Sequence, residues 1–77
     1  MTAQVELTDT FGGEANYSWV KRVEFNCEGM TDRQIILKAK KELDISGIRH
    51  KKTDFGDMIR LDFSCSGWLT VLFITVT

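Results

Sequence analysis

The amino-acid sequence predicts an α+β fold, a two-layer sandwich in which one helix covers one face of a four-stranded, mainly antiparallel sheet. Residues 68–76 are almost all β-branched, aromatic or leucine, which is the composition of a strand. Three other segments alternate apolar and polar residues, and one segment repeats its apolar residues at helical spacing. Their order along the chain is β-β-α-β-β, and we expect residues 1–77 to form a single domain with one small core.

The first two predicted strands are separated by a loop that contains glycine. The first strand has an apolar parity formed by Ala3, Val5 and Leu7. The pair Gly12-Gly13 permits positive φ and indicates a loop over residues 10–16. The second strand has an apolar parity formed by Tyr17, Trp19, Val23, Phe25 and Cys27. Lys21 interrupts this parity, either because a bulge shifts the register or because only its aliphatic stem is buried.

The predicted helix has sequence signals at both ends. Thr31 suits the N-cap position, and Gln34 three residues later completes a capping box. At about 100° per residue, the apolar face of the helix consists of Ile35, Ile36, Ala39 and Leu43. Gly47 fits the C-terminal cap, so we expect the helix to run from Asp32 to about Ile45.

The third and fourth predicted strands form a hairpin. A basic linker, residues 48–56, follows the helix, and residues 57–65 then alternate with Ile59, Leu61, Phe63 and Cys65 facing inward. Ser66-Gly67 is a tight-turn signal that leads into the last strand. Because that strand is apolar on both parities, we expect it between the second and third strands, in the order 1-2-4-3. The helix then joins two parallel strands in a right-handed crossover.

The two parities of the last strand define two surfaces. We expect the helix-facing parity to consist of Trp68, Leu72, Ile74 and Val76. One helix covers only one face of the sheet, so Leu69, Val71 and Phe73 form an apolar strip on the other face, with Val20 beside it. Such a strip predicts a homodimer or a complex with another protein. The alternative is a monomer in which the loops of Phe11 and Phe55 fold over the strip.

Composition and charge exclude several classes of protein. The net charge of −1 argues against a surface devoted to nucleic acid. The two cysteines, Cys27 and Cys65, are too few for a disulfide scaffold, and we expect both to be reduced, apolar and in strands. The N-terminus lacks the pattern of a signal peptide, and the longest apolar run is far shorter than the ~20 residues of a membrane-spanning helix. We therefore expect a cytoplasmic protein.

No residue pattern specifies a reaction, so we expect neither enzyme activity nor a metal or cofactor. The single histidine, His50, lies among cations in a surface loop, without an evident nucleophile beside it. An alternative is a small hydrolase or metal-dependent enzyme that uses the loop carboxylates Glu14, Asp54 and Asp57. Acidic residues next to glycine are more typical of turns.

Cations are concentrated on the helix and in the linker that follows it. The candidate basic patch consists of Arg33, Lys40, Lys41, Arg49, Lys51 and Lys52. It is either an ordinary solvated surface or a binding site for a phosphate backbone or an acidic protein surface. Tyr17 and Trp19 either pack in the core or stack bases from an exposed face of the sheet.

Two segments resemble small accessory proteins encoded by bacteriophages and prophages. They are residues 9–22, and residues 53–58 together with the apolar strand that contains Leu72-Phe73-Ile74. The resemblance implies a protein that acts inside a bacterium and binds a host protein or ribonucleoprotein complex, such as an inhibitor of bacterial defence of the anti-CRISPR kind. It carries over no activity and no site residues. The alternative is a small nucleic-acid-binding regulator that uses the basic helix face and the linker.

Overall fold

The computed structural model describes residues 1–12 and 14–77, and within them it contains one α-helix and a sheet of five strands. The elements are β1 Thr2–Phe11, β2 Glu14–Asn26, α1 Asp32–Glu42, β3 Lys51–Asp54, β4 Met58–Asp62 and β5 Thr70–Val76. The predicted α+β class is confirmed. The predicted count of four strands is wrong, because part of the basic linker forms β3 and pairs with β4.

The five strands of the described residues lie in the order β2-β1-β5-β4-β3, and every neighbouring pair is antiparallel. The predicted order placed the second strand beside the C-terminal strand, whereas β1 takes that position. Lys21, Arg22 and Glu24 are exposed on β2, and such charges suit an outer strand better than a central one. In this order β2 and β4 run antiparallel to each other, so the helix does not join the two strands that the sequence predicted. The strand that follows the helix is β3, which runs parallel to β2 from the opposite edge of the sheet.

The helix begins as the sequence predicts and ends earlier. Thr31 accepts a hydrogen bond from the Gln34 backbone N–H, and the Gln34 side chain accepts one from the Thr31 N–H. At the other end, Asp44 adopts a left-handed conformation with φ of 58°. The N–H of Ile45 then reaches the Lys40 carbonyl at 2.8 Å, which is a Schellman closure. Asp44 therefore occupies the position predicted for Gly47.

The main core lies between α1 and one face of the sheet. It is formed by Ala3, Val5, Leu7, Cys27, Ile35, Ile36, Ala39, Leu43, Ile59, Leu61, Phe63, Leu72 and Ile74. The four residues predicted for the apolar helix face are all among them, as are Leu72 and Ile74 of the predicted helix-facing parity of the last strand. No helix within residues 1–12 and 14–77 is long and apolar enough to cross a membrane.

The connection between β4 and β5 differs from the predicted tight turn. Asp62 accepts a hydrogen bond from the Ser64 backbone N–H at 2.9 Å, and residues Ser64–Ser66 form a short 3-10 helix. Cys65, expected to face inward from a strand, is therefore exposed in this turn. Trp68, expected to face the helix, lies before β5 and is 51% exposed. β4 therefore ends earlier, and β5 begins later, than the residue pattern indicates.

Candidate functional site

The face of the sheet that points away from α1, here called the open face, carries mostly polar side chains. A row across four strands consists of Arg22, Glu6, Phe73 and Arg60, in that order. The Arg22 Nε atom donates to the Glu6 Oε2 atom at 3.0 Å, and the Arg60 guanidinium lies 5.9 Å from the centre of the Phe73 ring. Phe73 is thus surrounded by charged groups, and its half-buried ring has a cation above it.

The pairing of β1 with β2 is interrupted beside the open face. Thr8 is opposite Val20 and Thr10 is opposite Ala15, so residues 16–19 of β2 bulge over a single residue of β1. We call residues 16–19 the arch. The predicted irregularity near Lys21 therefore lies earlier in the strand, and Lys21 itself is an exposed residue opposite Leu7. The loop predicted over residues 10–16 is shorter, since strands extend into it, and Gly13 lies outside the described residues.

Asp9 holds the arch in place with three hydrogen bonds. Its carboxylate accepts from the Asn16 Nδ2 atom at 3.0 Å, from the Ser18 backbone N–H at 3.0 Å and from the Ser18 hydroxyl at 2.6 Å. The bonds from Ser18 and Asn16 stabilise the carboxylate and lower the pKa of Asp9 to about 2. A fourth bond runs from the Thr8 hydroxyl to the Trp19 carbonyl at 2.8 Å. The arch is therefore fixed by specific side-chain hydrogen bonds.

The arch places Tyr17 over the open face. Tyr17 has φ of 56°, a conformation that a bulky residue adopts only when its surroundings impose it. Interaction of its phenol with the Glu6 carboxylate, together with desolvation, raises the pKa of Tyr17 above its usual value. Beside it lies a groove of about 610 Å³, whose lining includes Glu6, Tyr17, Arg22, Glu24, Met58 and Phe73. Tyr17 thus lies half-exposed over the open face, and neither it nor Trp19 belongs to the main core, so the expected core packing of both is wrong.

The structure separates the three residues of the predicted apolar strip. Val71 is on the open face but has no exposed surface, and it lies outside the main core cluster. Phe73 is half-buried in the charged row, and Leu69 is 70% exposed because it precedes β5. The loops of Phe11 and Phe55 do not cover the strip, since both rings are exposed. Val20, Thr8 and Val71 lie in one row across three strands. The arch directly precedes Val20 in β2 and therefore lies beside this part of the open face.

Three large apolar side chains are exposed together at one end of the sheet. The Thr10 N–H donates to the Leu69 carbonyl at 2.9 Å, and Asp9 is opposite Thr70. Continued by one residue, this register places the Phe11 backbone near that of Trp68, while Leu69 belongs to the opposite parity. Phe11 is 80% exposed, and the other two are exposed by half or more. We call these three residues the apolar end, and exposed large apolar groups at one end of a sheet are a candidate interaction surface.

Lys40, one of the six residues of the candidate basic patch, is buried. Its ammonium donates to the Ile48 carbonyl at 2.6 Å and lies 3.3 Å from the His50 Nδ1 atom. It also lies 5.9 Å from the centre of the Phe63 ring. Lys40 therefore ties the end of α1 to the segment before β3 and is not available to a partner at the surface.

The other five basic residues point in different directions. Arg33 and Lys41 are exposed on α1. Lys51 is opposite Asp62 on the open face, while Lys52 is opposite Leu61 and faces the helix side. The Arg49 carbonyl accepts a hydrogen bond from the Ser66 hydroxyl at 2.9 Å. The sheet lies between Lys51 and the helix cations, so these residues do not form one continuous surface.

The candidate catalytic groups are also far apart in the fold. Glu14 begins β2 at one edge of the sheet, whereas Asp54 ends β3 at the opposite edge. The Asp54 carboxylate accepts from the Gly56 backbone N–H at 2.8 Å, which is the turn chemistry that the neighbouring glycine indicates. Within the described residues, no group of three or more histidine, cysteine or acidic side chains is placed to hold a metal ion. Both cysteines are free thiols.

Comparisons of the chain with protein-family models, with curated proteins and with solved structures find no match. The candidate surfaces are therefore argued from geometry alone. Two of them, the arch and the apolar end, have features that formation of the core does not require. The arch positions a strained tyrosine, and the apolar end exposes side chains that cost free energy to keep in water.

Proposed function

We propose that this chain is a non-enzymatic binding protein whose apolar end docks on another protein. The observation that carries the proposal is the exposure, at one end of the sheet, of Phe11 at the end of β1 and of Trp68 and Leu69 just before β5. Aromatic residues, tryptophan above all, are enriched at the centres of protein interfaces, where few residues contribute most of the binding free energy. Phe11 ends the paired strand β1, and the hydrogen bond from the Thr10 N–H holds the Leu69 backbone beside it, so little ordering of the backbone is needed when a partner binds.

A protein partner fits this surface better than a nucleic acid does. Affinity for nucleic acid comes mainly from cations that neutralise several phosphates on one face. Lys40 is buried, Lys51 and Lys52 lie on opposite faces, and the net charge of the chain is −1. The apolar end itself contains no cation. We therefore assign the nucleic-acid regulator second place.

The resemblance to phage and prophage accessory proteins supports a partner in the bacterial cytoplasm. We propose a host protein or ribonucleoprotein complex, with an inhibitor of defence of the anti-CRISPR kind as the specific form. If this holds, expression of the chain in a bacterium with an active CRISPR system raises the plating efficiency of a targeted phage. An unchanged plating efficiency against several CRISPR types would remove the specific form and leave the general one.

The general proposal is tested by capture from bacterial lysate with matched surface variants. Leu69→Ser and Phe11→Ser remove apolar surface at the apolar end, and Leu37→Ser removes similar surface from the outer face of α1, where Leu37 is 56% exposed. All three positions are exposed, so we expect each variant to keep the wild-type fold. Proteins identified by mass spectrometry are then purified, and their affinities are measured by titration.

We expect at least one host protein to bind wild type and the Leu37→Ser variant equally. Its affinity should fall by at least about tenfold with either variant at the apolar end, since hot-spot residues contribute about 2 kcal/mol or more. Partners that bind all three variants with the same affinity would mean that the apolar end is not the binding surface.

A further inference from the structure

The outer edge of β2 offers backbone hydrogen-bonding groups to a further strand. β2 is at one edge of the sheet, and among residues 1–12 and 14–77 its one paired neighbour is β1. Cys27 donates its backbone N–H to the Met1 carbonyl at 3.1 Å, so the peptide groups of Cys27 point toward β1. Because this direction alternates along an antiparallel strand, the groups that point away from the sheet are those of Val20, Arg22, Glu24 and Asn26.

We propose that this edge binds the same edge of a second copy of the chain, antiparallel, with Arg22 of each copy opposite Glu24 of the other. In that register the outward peptide groups face each other in reverse order and form about eight backbone hydrogen bonds. Val23 lies on the two-fold axis. The sheets of the two copies become one continuous sheet, and the interface is isologous and therefore closed.

The charges on β2 favour this register over its neighbours. A shift that moves the two-fold axis to Arg22 places the two Arg22 side chains opposite each other, and a shift to Glu24 does the same for the two carboxylates. Like charges directly opposite on neighbouring strands are destabilising, and opposite charges are stabilising. A shift of one strand by a single residue places a residue of one sheet face opposite a residue of the other face. Only the proposed register forms two Arg22–Glu24 pairs.

The side chains at the edge are free to make these pairs. The Arg22 side chain is 67% exposed and uses its Nε atom for Glu6, so its terminal nitrogen atoms can donate to Glu24 of the second copy. The Glu24 carboxylate accepts one long bond, from the Gln4 Nε2 atom at 3.4 Å. Each Arg22 would then lie between two carboxylates. On the other face, Lys21 meets Phe25, whose ring already has Lys38 above it at 5.4 Å.

The flanking features limit the association to a dimer. Exposed edges are commonly protected by bulges and by lysine residues. The arch ends the regular part of β2 at Val20, so only a short stretch is available for pairing. The opposite edge of the sheet is β3, a four-residue strand that carries Lys51 and Lys52. The approach of Lys21 to Lys38 opposes the pairing, so we expect dissociation constants in the range of about 10 μM to 1 mM.

The test is sedimentation velocity of the purified chain over that range of concentration. Glu24→Lys places a lysine opposite Arg22 twice in each dimer, and we expect it to weaken dimerisation at least about tenfold. The matched control is Glu14→Lys, which makes the same charge change on β2 outside the paired stretch and should leave the dimer unchanged. A wild type that stays monomeric, or a Glu24→Lys variant that dimerises as well as wild type, would overturn the proposal.

A mixing experiment tests the register itself. Arg22→Glu alone opposes two carboxylates at each pair and should be monomeric, as Glu24→Lys should be. In an equimolar mixture of these two variants, one cross-strand pair joins an arginine to a glutamate and the other joins a glutamate to a lysine. Both pairs are then complementary in charge, so we expect the mixture to form a heterodimer.

Circular dichroism verifies that each of these variants is folded. A mixture that remains monomeric while wild type dimerises would mean that another surface forms the dimer. No host partner is involved, so the outcome is independent of the proposed function.

Discussion

The contact between Lys40 and His50 determines which ring nitrogen of His50 carries the proton. The Lys40 ammonium can only donate, so the His50 Nδ1 atom 3.3 Å away accepts and the neutral ring carries its proton on Nε2. Burial, reinforced by the nearby charges of Lys40 and Lys52, lowers the pKa of His50 below its usual value. The sequence indicated the cationic neighbourhood, but the burial comes from the packing of the ring edge-on against Phe63.

The lowered pKa of His50 predicts a pH dependence of stability with a definite sign. The unfolded chain binds a proton at His50 near pH 6.5, and the folded chain resists doing so until the pH is lower. His50 therefore contributes stability that is present above about pH 6.5 and is lost as the pH falls through the window below it. Urea unfolding between pH 5 and 8 should show this loss in wild type.

His50→Gln is the matched variant, because the glutamine oxygen can still accept from Lys40 without titrating. We expect its stability to change less between pH 5 and 8. As the protein has one histidine, the ring protons also report its pKa directly by NMR. A measured value at or above about 6.5 would contradict the burial of the neutral ring.

At the scale of an element, the arch depends on Asp9. We expect Asp9→Ala to release the arch, because the variant removes the acceptor of three hydrogen bonds that hold residues 16–19. Tyr17 then loses its fixed position beside Glu6, and its pKa should fall back toward about 10. Since Tyr17 is the single tyrosine, spectrophotometric titration of the phenol measures this change.

The control for this prediction is Asp62→Ala. It removes one carboxylate, as Asp9→Ala does, but Asp62 caps the turn after β4 through Ser64 and has no bond to the arch. We expect the pKa of Tyr17 to stay raised in this variant. Equal pKa values in wild type and Asp9→Ala would mean that Tyr17 holds its position without Asp9.

Local elements could be predicted from the sequence, and their arrangement could not. The capping box of Thr31 and Gln34 depends on neighbouring residues, so its pattern is visible in the chain. The order of strands depends on contacts between distant segments. Both strands of the β1–β2 hairpin have an apolar parity, so the sequence allowed either of them to pair with β5. Lys51–Asp54 reads as a linker because all its residues are exposed, and an exposed outer strand needs no alternation.

The arch was hidden for a similar reason. Its parity break at Lys21 was visible, but the sequence did not indicate that Asp9 and Ser18, nine residues apart, would hydrogen-bond. The apolar end was missed because Trp68 and Leu69 belong to a run with strand composition, and nothing local indicates that β5 begins at Thr70. Both features arise where a strand departs from regular geometry, and such departures are set by tertiary contacts.

For the whole molecule, the central question is how the second face of the sheet is shielded, and Val71 and Leu69 test it. Val71 is fully buried on that face, while Leu69 is 70% exposed beyond the start of β5. A lysine at position 71 would bury a charge without a partner, so we expect Val71→Lys to lower the free energy of unfolding by more than about 3 kcal/mol. We expect Leu69→Lys to change it by less than about 0.5 kcal/mol.

Urea unfolding of the two variants measures both values at a concentration of about 1 μM, where the proposed edge dimer is dissociated. The two residues share one parity of the last strand and receive the same substitution, so the comparison isolates burial. A stable, monomeric Val71→Lys variant would mean that the open face around Val71 is accessible to water in solution. It would then be available as the apolar interface that the sequence predicts. A strongly destabilised Val71→Lys variant, with a stable Leu69→Lys variant, identifies Val71 as part of the core of a single chain. Leu69 is then the residue of the strip that a partner can reach.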